Sequence, residues 1–105
     1  MKYICLIVLL FPLSSQAEEN IYPLIIKDHR FQPAEITIPS GKKVKLLLEN
    51  QDVTPEEFDS HSLNREKLIA GKGKATIYIG PLAPGRYEFQ GEFNATSAQG
   101  VIIAQ

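Results

Sequence analysis

Short segments in which apolar and polar residues alternate most limit what this chain can fold into. The clearest lie at residues 35–39, 42–50, 74–79 and 87–91, and glycine, proline or short polar turns bound each of them. A period of two places every second side chain on the same face of a β-strand, so that one face can be buried. Almost nothing in the chain shows the 3.6-residue period of a helix. The sequence therefore predicts an all-β protein.

Two more segments complete the predicted strands. Residues 21–27 form the first strand, and Pro23 indicates that this strand either lies at a sheet edge or begins after the proline, because proline cannot donate to a ladder. Residues 100–103 form the last strand. The irregular middle of the chain leaves residues 63–69 open between a helical turn and an extended crossing segment. About six to eight short strands, with turns roughly every eight to twelve residues, predict a β-sandwich.

The alternation also predicts which side chains face the common core of the two sheets. Each residue in this set lies on the apolar phase of its predicted strand. The predicted core residues are Ile36, Ile38, Val44, Leu46, Leu48, Ile77, Ile79, Tyr87, Phe89, Val101 and Ile103.

Residues 1–17 have the composition of a secretory signal peptide. Lys2 precedes an apolar run at residues 4–13, and the Ser-Gln-Ala sequence at residues 15–17 is a small-x-small cleavage site. The apolar run is too short to span a bilayer, so we predict no direct membrane insertion after cleavage. The expected product is a periplasmic chain of residues 18–105, which form one small domain.

Composition excludes several classes of function. The whole chain carries a net charge of −1, and loss of Lys2 makes the exported chain slightly more acidic, which argues against binding to nucleic acid or anionic membranes. Its single cysteine, Cys5, and its single methionine lie in the leader, so the exported chain has no thiol chemistry and no disulfide. With only two histidines and no exported cysteine, no Ser-His-Asp or Cys-His set is available, and we predict that the protein is not an enzyme.

Several short motifs follow one another along the chain in a characteristic order and spacing. They are Phe31-x-Pro33, Ile36-x-Ile38-Pro39-x-Gly41-Lys42, Glu57-Phe58, Leu82-x-Pro84-Gly85-x-Tyr87-x-Phe89 and Ala98-Gln99-Gly100. Together they resemble the cupredoxin-like family, and the resemblance implies a Greek-key β-sandwich of about seven to eight strands. A narrower resemblance is carried by Glu56-Glu57-Phe58, Arg65-Glu66-Lys67 and Gly91-Glu92-Phe93. These segments resemble the cupredoxin-like domain of EfeO-type iron-uptake proteins and the small periplasmic cupredoxins associated with bacterial iron-permease systems.

The resemblance also assigns positions to the ligands of a blue-copper site. Glu56-Glu57 stand where the first histidine is found, Gly91 at the cysteine, Asn94 at the loop histidine, and Ala98 or Gln99 at the methionine. A type 1 copper centre needs a thiolate with two imidazoles beside it. Since none of these residues supplies sulfur or imidazole, we predict that this chain forms no blue-copper centre.

Without sulfur or imidazole at the blue-copper positions, carboxylates of this chain are the remaining candidate ligands. The resemblance places them near the end of the domain where the family binds its metal. Oxygen ligands with at most one imidazole suit iron, manganese or copper(II) rather than copper(I). Acidic residues in loops are usually solvated surface charges, so the resemblance carries this hypothesis. We expect the carboxylates to converge at one end of the sandwich and to bind an iron or copper ion. The candidate ligands are Glu57, Glu66 and Glu92, helped by His61 or Asp59.

Three functions remain for such a domain. The first is a periplasmic metal-binding protein of an iron-uptake or metal-handling system, with a membrane iron permease or periplasmic uptake components as partners. The second is a metal-free docking module that kept the fold and binds a periplasmic or membrane partner. The third, a copper electron-transfer protein, is opposed by the missing sulfur ligands, since a fold alone does not define a function.

Overall fold

Nine β-strands contain more than half of the described part of the chain, residues 20–105, in a computed structural model. The predicted signal peptide lies outside these residues. The described residues contain no helix long and apolar enough to cross a membrane. The strands are β1 Ile21–Lys27, β2 Arg30–Gln32, β3 Glu35–Ile38, β4 Val44–Asn50, β5 Glu56–Ser60, β6 Arg65–Ile69, β7 Lys74–Ile79, β8 Gly85–Gly91 and β9 Gln99–Ala104, with a 3-10 turn at Glu92–Asn94.

The strands form two sheets that pack face to face. One sheet has four strands in the order β2-β1-β4-β7, and the other has five in the order β3-β9-β8-β5-β6. Strands β1 and β4 run parallel, as do β3 and β9, whereas the other neighbours are antiparallel. The architecture confirms the all-β sandwich predicted from the alternating pattern.

Alternation places most of the predicted core residues correctly. Leu46 on β4 is completely buried and belongs to the same hydrophobic core as the predicted residues of β3, β7 and β8. Tyr87 is only partly buried against this core, and its hydroxyl donates to the carbonyl oxygen of Ala83 at 2.8 Å. The predicted residues found buried are Ile36, Ile38, Val44, Leu46, Leu48, Ile77, Ile79 and Phe89.

The predicted phase of the last strand is wrong. Ile102 and Ala104 are buried, whereas Val101 and Ile103 point away from the core and are half-buried. Pairing of Phe89 with Gly100 sets this register. The run from Val101 to Ile103 is apolar throughout, so alternation alone does not distinguish its two faces.

Pro23 sits within β1, which begins before it and is not an edge strand over its whole length. Residues 21–26 pair with β4 on one side, but β2 covers the other side only from Ile25 onward. The missing N–H of Pro23 therefore falls where β1 has a single neighbour. The local environment is that of an edge, which is where proline is tolerated.

The irregular middle of the sequence contains two strands of the five-stranded sheet. Residues 65–69 form β6 and not a helical turn, and they pair antiparallel with β5. Phe58 of β5 is fully buried and stacks on Phe89 with ring centroids 4.9 Å apart, while Phe31 meets Phe89 edge-on at the same distance. These three rings fix which face of β5 is turned inward.

Candidate metal centre

Glu56, one of the two residues predicted for the first-histidine position, contacts the residues predicted for the cysteine and loop-histidine positions. It shares the inward face of β5 with Phe58 and is 1% exposed. Oε1 of Glu56 accepts hydrogen bonds from the backbone N–H groups of Glu57 and Phe93, both at 2.9 Å. Oε2 accepts from the side-chain amide of Asn94 at 2.8 Å. The first-histidine position and the loop-histidine position are therefore joined directly.

Gly91 and Ala98 complete the contacts around this carboxylate. A Cβ atom added to Gly91 would lie 2.6 Å from Cδ and Oε2 of Glu56 and 2.7 Å from Cβ of Ala98. The φ and ψ angles of Gly91 are −89° and 113°, which any residue adopts in a strand. Space and not backbone conformation therefore requires glycine here. Of the two residues predicted for the methionine position, Ala98 is fully buried and Gln99 is exposed.

Asn50 secures the loop that leads from β4 to Glu56. Its side-chain amide donates to the carbonyl oxygens of Thr54, Ile69 and Ala70 at 2.9, 3.3 and 3.3 Å. Its Oδ1 accepts from the N–H of Asp52 at 3.0 Å. Asn50 is 1% exposed, so its polar atoms are satisfied within the fold and play a structural role.

Three of the five predicted ligands meet on the outer face of the five-stranded sheet. Glu57 and Asp59 alternate with the inward residues of β5, and Glu66 of β6 is the cross-strand partner of Asp59. One carboxylate oxygen from each of Glu57, Asp59 and Glu66 lies within 4.8 Å of the other two. Their outward phase separates them from the Glu56 pocket. Glu57, Asp59 and Glu66 thus lie close together, and their binding of a metal ion stays a prediction.

Burial and neighbouring negative charges both act on the Glu57 carboxyl group. Partial burial raises the pKa of Glu57 above its ordinary value of 4.5, and the carboxylates of Glu66, Asp59, Glu92 and Glu56, in that order, raise it further. No basic side chain among residues 20–105 forms an ion pair with Glu57, Asp59 or Glu66.

The other two predicted ligands lie near this acidic cluster but outside it. Glu92, in the 3-10 turn, accepts a hydrogen bond from the side-chain amide of Gln90 at 3.3 Å and acts on Glu57 only through its charge. His61 is exposed in the turn after β5, where it lines a groove with Asp59 and Glu66. Neither joins the set of ligand atoms within 4.8 Å of one another.

Glu56 is the site residue that sequence reasoning did not single out. Glu56 and Glu57 both fall at the predicted first-histidine position, but only Glu57 is among the predicted ligands. The signal lay in Phe58, because the apolar residue of a Glu-Glu-Phe-Asp-Ser strand marks its inward face. Period two then turns Glu56 inward and Glu57 outward.

Comparison with known proteins defines the family. The Cupredoxin-like domain family matches residues 2–104, and this chain belongs to it. An uncharacterised protein, RP394 of Rickettsia prowazekii strain Madrid E, is 44% identical over 80 residues. The alignment covers 76% of this chain and 64% of RP394, so the chain spans less than two thirds of the length of that relative.

Solved structures agree on the fold. Auracyanin A, a blue copper protein from Chloroflexus aurantiacus, superposes with a TM-score of 0.73 at 13% identity, covering 84% of this chain and 100% of auracyanin A. The metal-binding domain of the Cu(I)-exporting ATPase CopA of Streptococcus pneumoniae D39, solved with Cu(I), gives 0.70 at 15% identity, covering 81% and 84% of the two chains. At these identities the likeness establishes the cupredoxin fold alone.

The residues at the four ligand positions do not fit a type 1 copper ion. Gly91 and Ala98 have no donor atom, and Asn94 already gives its amide N–H to Glu56. Such a centre needs a thiolate and imidazoles, none of which is available here. The outer cluster differs, since its three carboxylates present free lone pairs of the type that hard and borderline cations bind.

Proposed function

We propose that this protein is an exported, non-catalytic cupredoxin that binds a transition-metal ion through Glu57, Asp59 and Glu66 and serves an iron-uptake or metal-handling system in the periplasm. The observation that carries the proposal is the close approach of three carboxylates within 4.8 Å without an ion pair to any described basic residue. Ionised carboxylates at this separation repel one another, and a bound cation removes the repulsion.

The chemistry of the cluster indicates which ions it takes. Three oxygen ligands on an exposed sheet face leave the remaining coordination positions to water, so the affinity is weak to moderate. Iron and copper(II) both accept such ligands, and affinity among divalent ions follows the order in which copper(II) lies highest unless geometry overrides it. Because the ligands must be deprotonated, affinity falls as pH drops through the carboxylate range.

The proposed biological setting comes from the resemblance to iron-permease-associated cupredoxins. A membrane iron permease or another periplasmic uptake component is the expected partner. An exposed carboxylate cluster suits transfer of an ion to such a partner, since water-filled coordination positions let an incoming ligand bind before the ion leaves.

A metal-free docking module is the second candidate function, and the Glu56 pocket favours it. A carboxylate with three hydrogen bonds fills the pocket between the predicted first-histidine, cysteine and loop-histidine positions. At the same end of the domain, Phe93 is 53% exposed on the 3-10 turn that closes this pocket. Under this alternative, the acidic cluster contacts a partner or is solvated.

Titration calorimetry with iron(II), under anaerobic conditions, and with copper(II) separates the two functions. The parent protein is compared with Glu57→Gln and Glu66→Gln, and Glu35→Gln is the matched control. Glu35 is an exposed residue of β3, at the opposite edge of the same sheet. Metal binding is expected in the parent and the control, and a loss of at least tenfold in affinity in the two cluster variants. Equal binding in all four proteins, or none in the parent, would support the docking module.

A further inference from the structure

We infer that the pocket between the predicted first-histidine, cysteine and loop-histidine positions is a carboxylate-binding site in this chain, and that the side chain of Glu56 is its built-in ligand. The inference is independent of the acidic cluster, which lies on the other face of β5. It assigns a role to the one fully buried acidic residue among residues 20–105.

Each polar group that bonds to the Glu56 carboxylate is a hydrogen-bond donor. They are the N–H of Glu57, the N–H of Phe93 and the side-chain amide of Asn94, at 2.9, 2.9 and 2.8 Å. Backbone N–H groups have no lone pair for a metal, but they stabilise an anion strongly when buried. The pocket thus has the polarity of an anion site, opposite to that of a metal site.

The space around the carboxylate is matched to it as well. Gly91 and Ala98 carry the smallest side chains available, and a Cβ atom on Gly91 would overlap Cδ of Glu56. Both carboxylate oxygens are engaged, and no buried side-chain nitrogen or oxygen of the described residues is left without a partner. The hydrogen-bond donors, the close steric fit and the complete burial are therefore all matched to a single carboxylate group.

The carboxylate ties together parts of the chain that are distant in sequence. Its bonds to Phe93 and Asn94 span 37 and 38 residues and fasten β5 to the 3-10 turn. The N–H of Gly91 also donates to the carbonyl oxygen of Ala98 at 2.8 Å, which closes the same loop. Glu56 thus performs the cross-linking that a metal ion would otherwise provide at this end of the sandwich.

Chemical rescue tests the inference. Glu56→Ala removes the carboxylate and leaves its donors around a small polar cavity, into which formate fits as the same functional group. The variant is expected to melt at a lower temperature than the parent. Sodium formate at ten times its dissociation constant should raise that midpoint by roughly 6–11 °C, along a saturating curve.

Matched controls separate binding from a general salt effect. Sodium chloride at equal concentration should give a clearly smaller shift, and so should formate added to the parent or to Glu57→Ala, which loses an outward carboxylate next in sequence. Equal shifts with formate and chloride in Glu56→Ala would overturn the inference. So would a Glu56→Ala variant as stable as the parent.

A second pair of variants applies if Glu56→Ala does not fold. Glu56→Gln keeps the shape of the side chain and removes its charge. In the parent, Asn94→Asp places a second carboxylate beside the carboxylate of Glu56. In the Glu56→Gln variant, the same substitution places the carboxylate beside an amide group, which can donate a hydrogen bond to it. In the presence of a chelator at pH 7, Asn94→Asp should lower the melting midpoint strongly in the parent and clearly less in Glu56→Gln. Equal losses in the two backgrounds would show that residue 56 presents no buried negative charge to residue 94.

Discussion

Introducing the cysteine of a blue-copper site at Gly91 should destabilise this protein. In the Gly91→Cys variant, the new Cβ would lie 2.6 Å from the carboxylate of Glu56 and 2.7 Å from Cβ of Ala98. Real Cβ atoms do not tolerate such distances, and three hydrogen bonds hold Glu56 in place. The clash therefore cannot be relieved without breaking hydrogen bonds of Glu56 or displacing Ala98.

The magnitude follows from two terms. Overpacking of a well-packed interior costs about 1–3 kcal/mol. If Glu56 moves instead, each lost hydrogen bond to its charged group costs about 1.5–3 kcal/mol, and at least one must break. By either route, the expected loss in the free energy of unfolding is about 1–3 kcal/mol, measured by urea denaturation at pH 7 with a thiol reductant.

Two further variants make this prediction sharp. Gly85→Cys, at the start of the same strand, places its Cβ no closer than 3.6 Å to Tyr87 and should change stability by less than about 1 kcal/mol. In a Glu56→Ala background, Gly91→Cys should cost clearly less than in the parent, because the clashing carboxylate is gone. A Gly91→Cys variant as stable as Gly85→Cys, or equal costs in both backgrounds, would refute the steric reasoning.

Four other expectations can be checked separately. Leu46→Ala should lose about 2–5 kcal/mol of unfolding free energy, and a loss below about 0.5 kcal/mol would contradict the complete burial of Leu46. Partial burial and the neighbouring carboxylates of Glu66, Asp59, Glu92 and Glu56 raise the pKa of Glu57 above 4.5, so the folded state holds this proton more tightly than the unfolded chain. The parent should then lose stability as pH rises through the raised pKa, and Glu57→Gln should be more stable than the parent at pH 7 but not at about pH 3, where both states are protonated. Unfolding curves at the two pH values check this, and a gain that persists at the lower pH would contradict it. Copper(II) should give no intense thiolate absorption band in protein whose mass shows that Cys5 is absent, and such a band would contradict the assignment of Gly91 to the cysteine position. Intact-mass measurement of the exported protein should show a chain beginning at Glu18, whereas a mass that includes Cys5 would contradict cleavage after residue 17.

Alternation predicted the fold wherever one face of a strand is apolar and the other polar. Strands β3, β4 and β7 met this condition, and their buried residues were identified correctly. It failed for β9, where Val101, Ile102 and Ile103 are all apolar and only pairing with β8 selects the buried phase. A sequence does not encode that choice locally, because the register depends on a neighbouring strand.

The site was harder to predict than the fold because β5 has a charged residue on its buried face. A strand with two adjacent glutamates resembles a solvated loop, and its one apolar residue, Phe58, gave the only indication of phase. The donors that make burial of Glu56 tolerable come from Phe93 and Asn94, far along the chain. Burial of a charge therefore depended on tertiary contacts that no local pattern contains.

The internal bonds of Glu56 also bear on how the protein matures. Closing contacts that span 37 and 38 residues requires the hairpin of β8 and β9 to have reached β5, so these bonds form once the sheet is assembled. No ion is needed for that step, since the carboxylate is part of the chain. On the proposed export route, the chain can therefore complete this end of the sandwich before it meets any metal, so that folding here does not depend on the supply of ions.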